Sequence, residues 1–190
     1  MIRIELEALA EASARESLLD LSLGRKRRKK TSERLREGRL PADGLSFSAK
    51  AGNGRLIGTL RLWHVLAGRG RPALLLGPLA VHPSFQKRGI GSALMHAALE
   101  QATALGHKAV LLVGDEPYYK RFGFTPQLTE ELRLPGPFER GRFLALELAP
   151  KALENAHGLV VATGKSIPMA PAASTGIPAK ILTSRARRAS

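Results

Sequence analysis

Apolar and polar residues alternate with period two through Ile2-Arg3-Ile4-Glu5-Leu6, which predicts a first β-strand. Behind it the period lengthens. Ser13 and Glu16 stand three apart ahead of an apolar run that stops near Gly24, the spacing of a capped helix start. Thr31 or Ser32 is placed to open a second short helix ending at Gly38. Phe47 to Ala51 and Leu56 to Val65 read as strands joined through Gly52-Asn53-Gly54, a hairpin signal. A turn at Gly68 to Pro72 then predicts that the next apolar run, from Leu74, lies antiparallel to its predecessor. Ile90, Leu94, Ala97, Ala98 and Leu105 recur at helical spacing and Gly106 closes the stripe. Val110 to Val113 follows as a strand reached by a right-handed crossover, hence parallel to the strand before the helix. Arg142 to Leu148 and Leu159 to Ala162 read as late strands. The pattern predicts an α/β or α+β fold, a mixed sheet with helices on both faces.

One junction in this pattern carries chemistry. The strand LLLGPLAVHP runs into a loop of Gln86, Lys87, Arg88, Gly89, Ile90 and Gly91, and the loop opens directly into the helix. A strand, a glycine-bearing loop and a helix N-terminus point several backbone N–H groups outward, where they can hold a pyrophosphate. A dinucleotide fold would need a small residue where Leu94 stands and an acid where Ala109-Val110-Leu111 lies. A Walker loop is excluded as well, because Gly158 lies one residue too far from Gly164-Lys165-Ser166.

Gln-x-x-Gly-x-Gly after an apolar strand ending in Val81-His82-Pro83 resembles the acetyl-CoA-binding motif of the GNAT N-acetyltransferase superfamily. Downstream, VLLVGD at Val110 to Asp115 resembles that family's next strand, and YYKRFGF at Tyr118 to Phe124 its following short helix. The four blocks together are most similar to the bacterial branch described as YhbS-like. The resemblance implies a GNAT-like acyl-CoA N-acyltransferase fold with a mixed, mostly antiparallel sheet. It implies acetyl-CoA as donor substrate and transfer of the acetyl group to a primary amine by direct attack in a ternary complex. The N–H groups from Gln86 through Ser92 (Gln86, Lys87, Arg88, Gly89, Ile90, Gly91, Ser92) would face the pyrophosphate, and Leu79, Ala80 and Val81 would pair with the arm of CoA. Tyr119, four residues before the glycine of Gly123-Phe124, takes the position of the general acid that protonates the leaving thiolate. For a general base the nearby titratable residues are Asp115, Glu116, His82 and His64, none of them singled out; Asp115, just before Glu116-Pro117, also fits a helix cap.

Composition narrows the setting. At 190 residues and 44% hydrophobic content the chain can bury one core and is short for two. Cysteine is absent, which removes disulfides, thiolate metal sites and an acyl-cysteine intermediate, and no histidine sits at metal-ligand spacing, so no metal is expected. With no apolar run long enough for a membrane span and with Glu5, Glu7, Glu11 and Glu16 near the N-terminus, a cytoplasmic location is expected.

The formal charge of +14 is localised. Arg25 to Lys30 contributes six positive charges and residues 165–190 contribute five with no acid, leaving +3 for the remainder. The resemblance implies a GNAT N-acetyltransferase domain at 1–164, and composition predicts a basic, disordered tail at 165–190. Six consecutive charges read first as a solvated loop, which the resemblance would place beside the acceptor. The two basic segments also motivate a reading of another class: a nucleic-acid- or ribosome-associated protein with a CoA-binding or vestigial core, or a docking site for an acidic partner. Without interleaved aromatics such binding would be driven by the phosphate backbone. The acceptor amine is unspecified, and both a monomer and a homodimer fit.

Overall fold

The computed structural model describes residues 1–168. The expected mixed sheet with helices on both faces is present. Its strands in chain order are β1 (Arg3–Leu6), β2 (Ser46–Lys50), β3 (Leu56–Leu66), β4 (Pro72–Leu76), β5 (Ala80–Val81), β6 (Ala109–Val113), β7 (Leu132–Arg133), β8 (Phe143–Glu147), β9 (Gly158–Leu159) and β10 (Val161–Ala162). The main sheet runs β1-β2-β3-β4-β6-β8, with β5 and β10 also paired to β3, while β7 and β9 form a separate parallel pair. Among these pairings in the main sheet only β4 with β6 is parallel, as the crossover through α2 (Ile90–Ala104) requires.

Burial explains the helix placement. Ile90, Leu94, Met95, Ala98 and Ala102 form the buried stripe of α2 and pack against Leu60, Leu62 and Leu74 on one face of the sheet. Gly58 permits the approach: a β-carbon there would lie 3.0 Å from Leu94 Cδ1. Leu105, expected in this stripe, instead caps the helix end and is 49% exposed. The opposite face carries Trp63, Val65, Leu75, Leu111 and Phe143, packed with Leu132 of β7 and with Leu35, Leu134 and Leu153 from short turns and loops. Helix α1 (Ala12–Leu23) is tied to β3 through Glu7, which accepts from Arg61 Nε at 2.9 Å and from Arg15.

Three local expectations are corrected. Ser13 and Glu16 form no capping box, since α1 begins at Ala12 without a side-chain cap and Glu16 is spent on arginines. The expected helix capped by Thr31 or Ser32 is a single 3-10 turn, Thr31–Leu35, without a side-chain cap, and the basic run before it forms another, Arg25–Lys29. Residues 165–167 are attached to the body: Leu40 N–H donates to Lys165 O at 2.7 Å and Ile167 N–H to Gly38 O at 2.9 Å. The rest of the predicted tail lies outside the described residues.

The apolar run from Leu74 is not one strand but two. Pro78 has no N–H to give to a ladder, and Gly77 turns the chain, so β4 pairs with Leu62 to Leu66 while β5 pairs with Gly58 and Thr59. Trp63 Nε1 donates to Gly77 O at 2.6 Å inside the core and holds the divergence point. Since β6 pairs with β4 and not with β5, the sheet splits beyond Leu76, leaving one edge of β5 free.

Candidate active site

A cleft of about 730 Å³ opens at that split. The free edge of β5 forms one wall, the loop into α2 the floor, and α3 (Glu116–Tyr119) with its 3-10 extension Lys120–Phe122 the other wall. His82 N–H donates to Ile57 O at 2.8 Å, which makes His82 and Ile57 a hydrogen-bonded pair. Alternation along the antiparallel ladder then spends the Ala80 N–H on β3 and turns the Val81 N–H toward the cleft. Of the three backbone positions expected at this edge, Ala80 therefore contributes its place in the wall rather than a donor. The Val81 carbonyl on the same edge accepts from Ser22 Oγ at 3.2 Å and from Gln86 Nε2 at 3.4 Å.

The loop has the conformation of an anion nest. Lys87 and Gly89 both lie in the left-handed region, at φ 61° and 76°, and turn successive amides to one side. Among the described residues, the N–H groups of Lys87 through Ser92 find no backbone acceptor, whereas Gln86 N–H is spent on Pro83 O. Helix α2 adds its positive dipole end at the same point. Gly91 faces Tyr118: a β-carbon there would meet the Tyr118 hydroxyl at 2.7 Å and Val81 Cγ2 at 3.8 Å. Leu79, Ala80, Val81, Gln86, Lys87, Gly89, Ile90, Gly91, Ser92 and Tyr119 all line the cleft. Arg88 does not, and its guanidinium stacks 5.2 Å from the Phe85 ring centroid. The Ile90 side chain is turned into the core.

Tyr119 sits where the cleft meets a second, smaller cavity, and it lines both. Its ring lies flat over Gly114, where a β-carbon would come within 2.2 Å of Cε2, and edge-on to Tyr118 at 4.9 Å. Burial, then the neighbouring Tyr118 and Asp115, push its phenol well above the ordinary range, with Arg142 opposing. The phenol thus stays protonated at neutral pH. Tyr118 also faces the cleft, so the two rings flank one space.

Among the candidate bases only Asp115 borders both cavities, and its carboxylate pairs with Arg142 Nη2 at 3.1 Å instead of capping α3. His82 is engaged elsewhere, with Nδ1 accepting from Ser84 N–H and Nε2 2.8 Å from Arg55. His64 lies against His107, 5.4 Å between ring centroids, away from the cleft. Among the described residues no cluster of side chains suits a metal.

Two arginines have roles in the structure that the sequence reading did not assign. Arg121 lies over the Tyr118 ring at 4.2 Å and donates to Ser92 Oγ at 3.0 Å, which places a cation at the mouth of the cleft. Its only trace in the chain is the three-residue spacing from Tyr118. The basic run is also not simply solvated. Arg27 is 6% exposed, with Nε 2.9 Å from Asp20 and Nη2 2.6 Å from Glu16.

Residues 11–124 match the acetyltransferase (GNAT) family. The chain belongs to the GNAT family. It is 33% identical over 85 residues to the uncharacterized N-acetyltransferase YhbS of Escherichia coli K12, a match covering 45% of this chain and 51% of that protein. The chain thus spans about half the length of the curated relative it matches. The E. coli YhbS structure, solved with CoA, superposes with a TM-score of 0.70 at 29% identity, over 86% of this chain and 89% of that one. A Brucella melitensis GNAT acetyltransferase solved with acetyl-CoA superposes with a TM-score of 0.60 at 23% identity, over 88% of this chain and 94% of that one. Both superpositions show the same overall fold as this chain. Among the described residues no helix is long and apolar enough to cross a membrane.

Proposed function

We propose that this protein transfers the acetyl group of acetyl-CoA to a primary amine, by direct attack within a ternary complex. The observation that carries the reading is convergence: unspent loop amides, a free strand edge and a protonated tyrosine all open into one cleft. The donor fits what lines that cleft. Lys87 through Ser92 offer amides to its pyrophosphate, with Lys87 and Arg121 adding charge, and Gly91, lacking a β-carbon, lets the Tyr118 hydroxyl come up to the first turn of α2. When bound, acetyl-CoA supplies a thioester carbonyl as the electrophile.

The chain's own groups do the rest. Val81 and Leu79 present backbone to the arm, as an added strand does, and an N–H at this edge stabilises negative charge developing on the carbonyl oxygen. The amine nitrogen forms the new C–N bond as the C–S bond breaks. Tyr119 gives its proton to the departing sulfur and regains one from solvent, so one amine proton ends, net, on the thiol. Asp115, bordering both cavities, is positioned to take that amine proton directly or through water. We assign the catalytic unit to the body of the chain and place the reaction in the bacterial cytoplasm, the compartment that supplies acetyl-CoA.

Thermal shift is the direct test. Acetyl-CoA at about 100 times its dissociation constant adds about 2.7 kcal/mol to stability, which raises the melting temperature by roughly 5–10 °C for a chain of this size. A screen over amines, peptides and protein N-termini, reading free thiol, then identifies acceptors. No melting shift with acetyl-CoA refutes the reading.

A further inference from the structure

The smaller cavity beside Tyr119 has an unusual charge balance. Its volume is about 180 Å³, and its charged lining comprises Arg27, Lys30, Arg36 and Arg142 against Glu33 and Asp115. Arg27 is already neutralised by Glu16 and Asp20, which lie outside the cavity. Lys30 forms no ion pair among the described residues and is exposed at the rim.

Arg36 is the telling residue. Its side chain is 7% exposed, held by Ser32 O on Nε at 3.2 Å, by Ser32 Oγ on Nη2 at 3.1 Å and by Glu33 on Nη2 at 3.0 Å. Every one of these contacts is on one side of the guanidinium. Nη1 has no acceptor among the described residues and lies against Gly77, the residue at which the sheet splits. Burial disfavours its charge; Glu33 offsets part of that cost and Arg27 adds repulsion. On the adjoining wall, Arg142 Nε is buried without a hydrogen-bond partner among the described residues. A guanidinium held along one edge, with donors left facing an open cavity, is placed to receive an anion there.

We propose that the acceptor is a small amine carrying its own anionic group, a carboxylate or a phosphate, which docks against Arg36 with help from Lys30 and Arg142. This rests on the acetyl-transfer reading above. The anion anchors one end of the molecule in the cavity while the amine reaches the shared wall at Tyr119 and the cleft. The cavity volume falls below the roughly 300–1,000 Å³ typical of drug-sized ligands, so it suits an acceptor of amino-acid size. Charge-assisted bonds to a planar guanidinium would position such an acceptor as well as bind it.

The test uses matched amines in the thiol-release assay with acetyl-CoA: glycine against glycinamide, β-alanine against β-alaninamide, and phosphoethanolamine against ethanolamine. The anionic member of at least one pair is expected to be favoured in kcat/KM by about tenfold or more, and whether a carboxylate or the phosphate leads tells which anion the site takes. In Arg36→Gln the ratio within the pair falls toward one. Lys30→Gln, at an exposed position, gives the same direction of change if Arg36→Gln does not fold. A neutral member equal to or better than its anionic partner overturns the proposal, as does a ratio unaltered in both variants. Inactivity with all three anionic amines, while acetyl-CoA still raises the melting temperature, overturns it and leaves the donor reading standing. Absence of any acetyl-CoA stabilisation removes both.

Discussion

Gly114 allows the role of Tyr119 to be tested without altering the tyrosine. An alanine β-carbon at Gly114 would lie 2.2 Å from Cε2 and 2.8 Å from Cδ2 of the Tyr119 ring. Carbon atoms in contact settle near 3.5 Å, so the ring must retreat by about 1.3 Å or the backbone must give. Overpacking of this kind costs about 1–3 kcal/mol in stability. A misplacement near 1 Å of a catalytic group costs about 10²-fold in rate. Gly114→Ala is therefore expected to lower kcat by about 10²-fold, with a much smaller change in the acetyl-CoA dissociation constant, because the nest amides lie on a different element. Tyr119→Phe, which keeps the ring and removes the proton, should lose about 10²-fold or more. The decisive comparison is the double variant, measured by thiol release with the best acceptor and by calorimetry for the cofactor. If both changes act through the hydroxyl, the second adds little to the first. Losses that multiply fully, or a Tyr119→Phe enzyme with an undiminished rate, refute the general-acid assignment.

Other consequences are more local. Gly91→Ala places a β-carbon 2.7 Å from the Tyr118 hydroxyl and fills the nest, so the acetyl-CoA melting shift should shrink by more than half; an undiminished shift would remove the nest from cofactor binding. Arg27→Met unties α1 from the basic turn and is expected to cost about 1–2 kcal/mol, less than a fully buried pair because Glu16 and Asp20 remain partly solvated, readable by urea denaturation. Burial works to raise the Glu16 pKa, but the Arg27 hydrogen bond and charge, with Arg15, outweigh it and hold the carboxyl below its ordinary value. Its stabilising contribution is thus present above the unfolded-state pKa near 4.5 and is lost as pH falls through the lower folded value. Melts of Glu16→Gln against the parent between pH 3 and pH 7 should show a shallower acid limb in the variant, and parallel curves would contradict this.

Legibility from sequence followed the range of the interactions involved. Period-two and helical patterns report on burial a few residues away, and the hairpin around Asn53, the α2 stripe and the parallel partner of β4 follow from them. The convergence of the glycine loop and Tyr119 on one cleft was legible because each lies in a short contiguous motif. The break at Gly77-Pro78 was hidden inside an apolar run, although proline's missing N–H forbids a continuous ladder there. Arg36 and Arg142 come from segments more than 100 positions apart and meet only through the sheet, so no local spacing could announce them. The chain reverses at Gly24 and lays Arg27 and Arg28 back on the acids of α1, and only Arg27 of the six is buried there.

The free edge of β5 has to attract one kind of visitor and turn away another. Unpaired strand edges invite the strands of other protein molecules, and the usual outcome is self-association. At two residues, with Pro78 two positions before it and Pro83 two positions beyond its end, this edge is too short to template a neighbour of ordinary strand length, about five or six residues. A ligand arm that asks for only a couple of amide bonds loses nothing by the brevity. The prolines that interrupt the sheet thus screen by length: the opening is long enough for a small molecule and too short for a strand of ordinary length to pair along it.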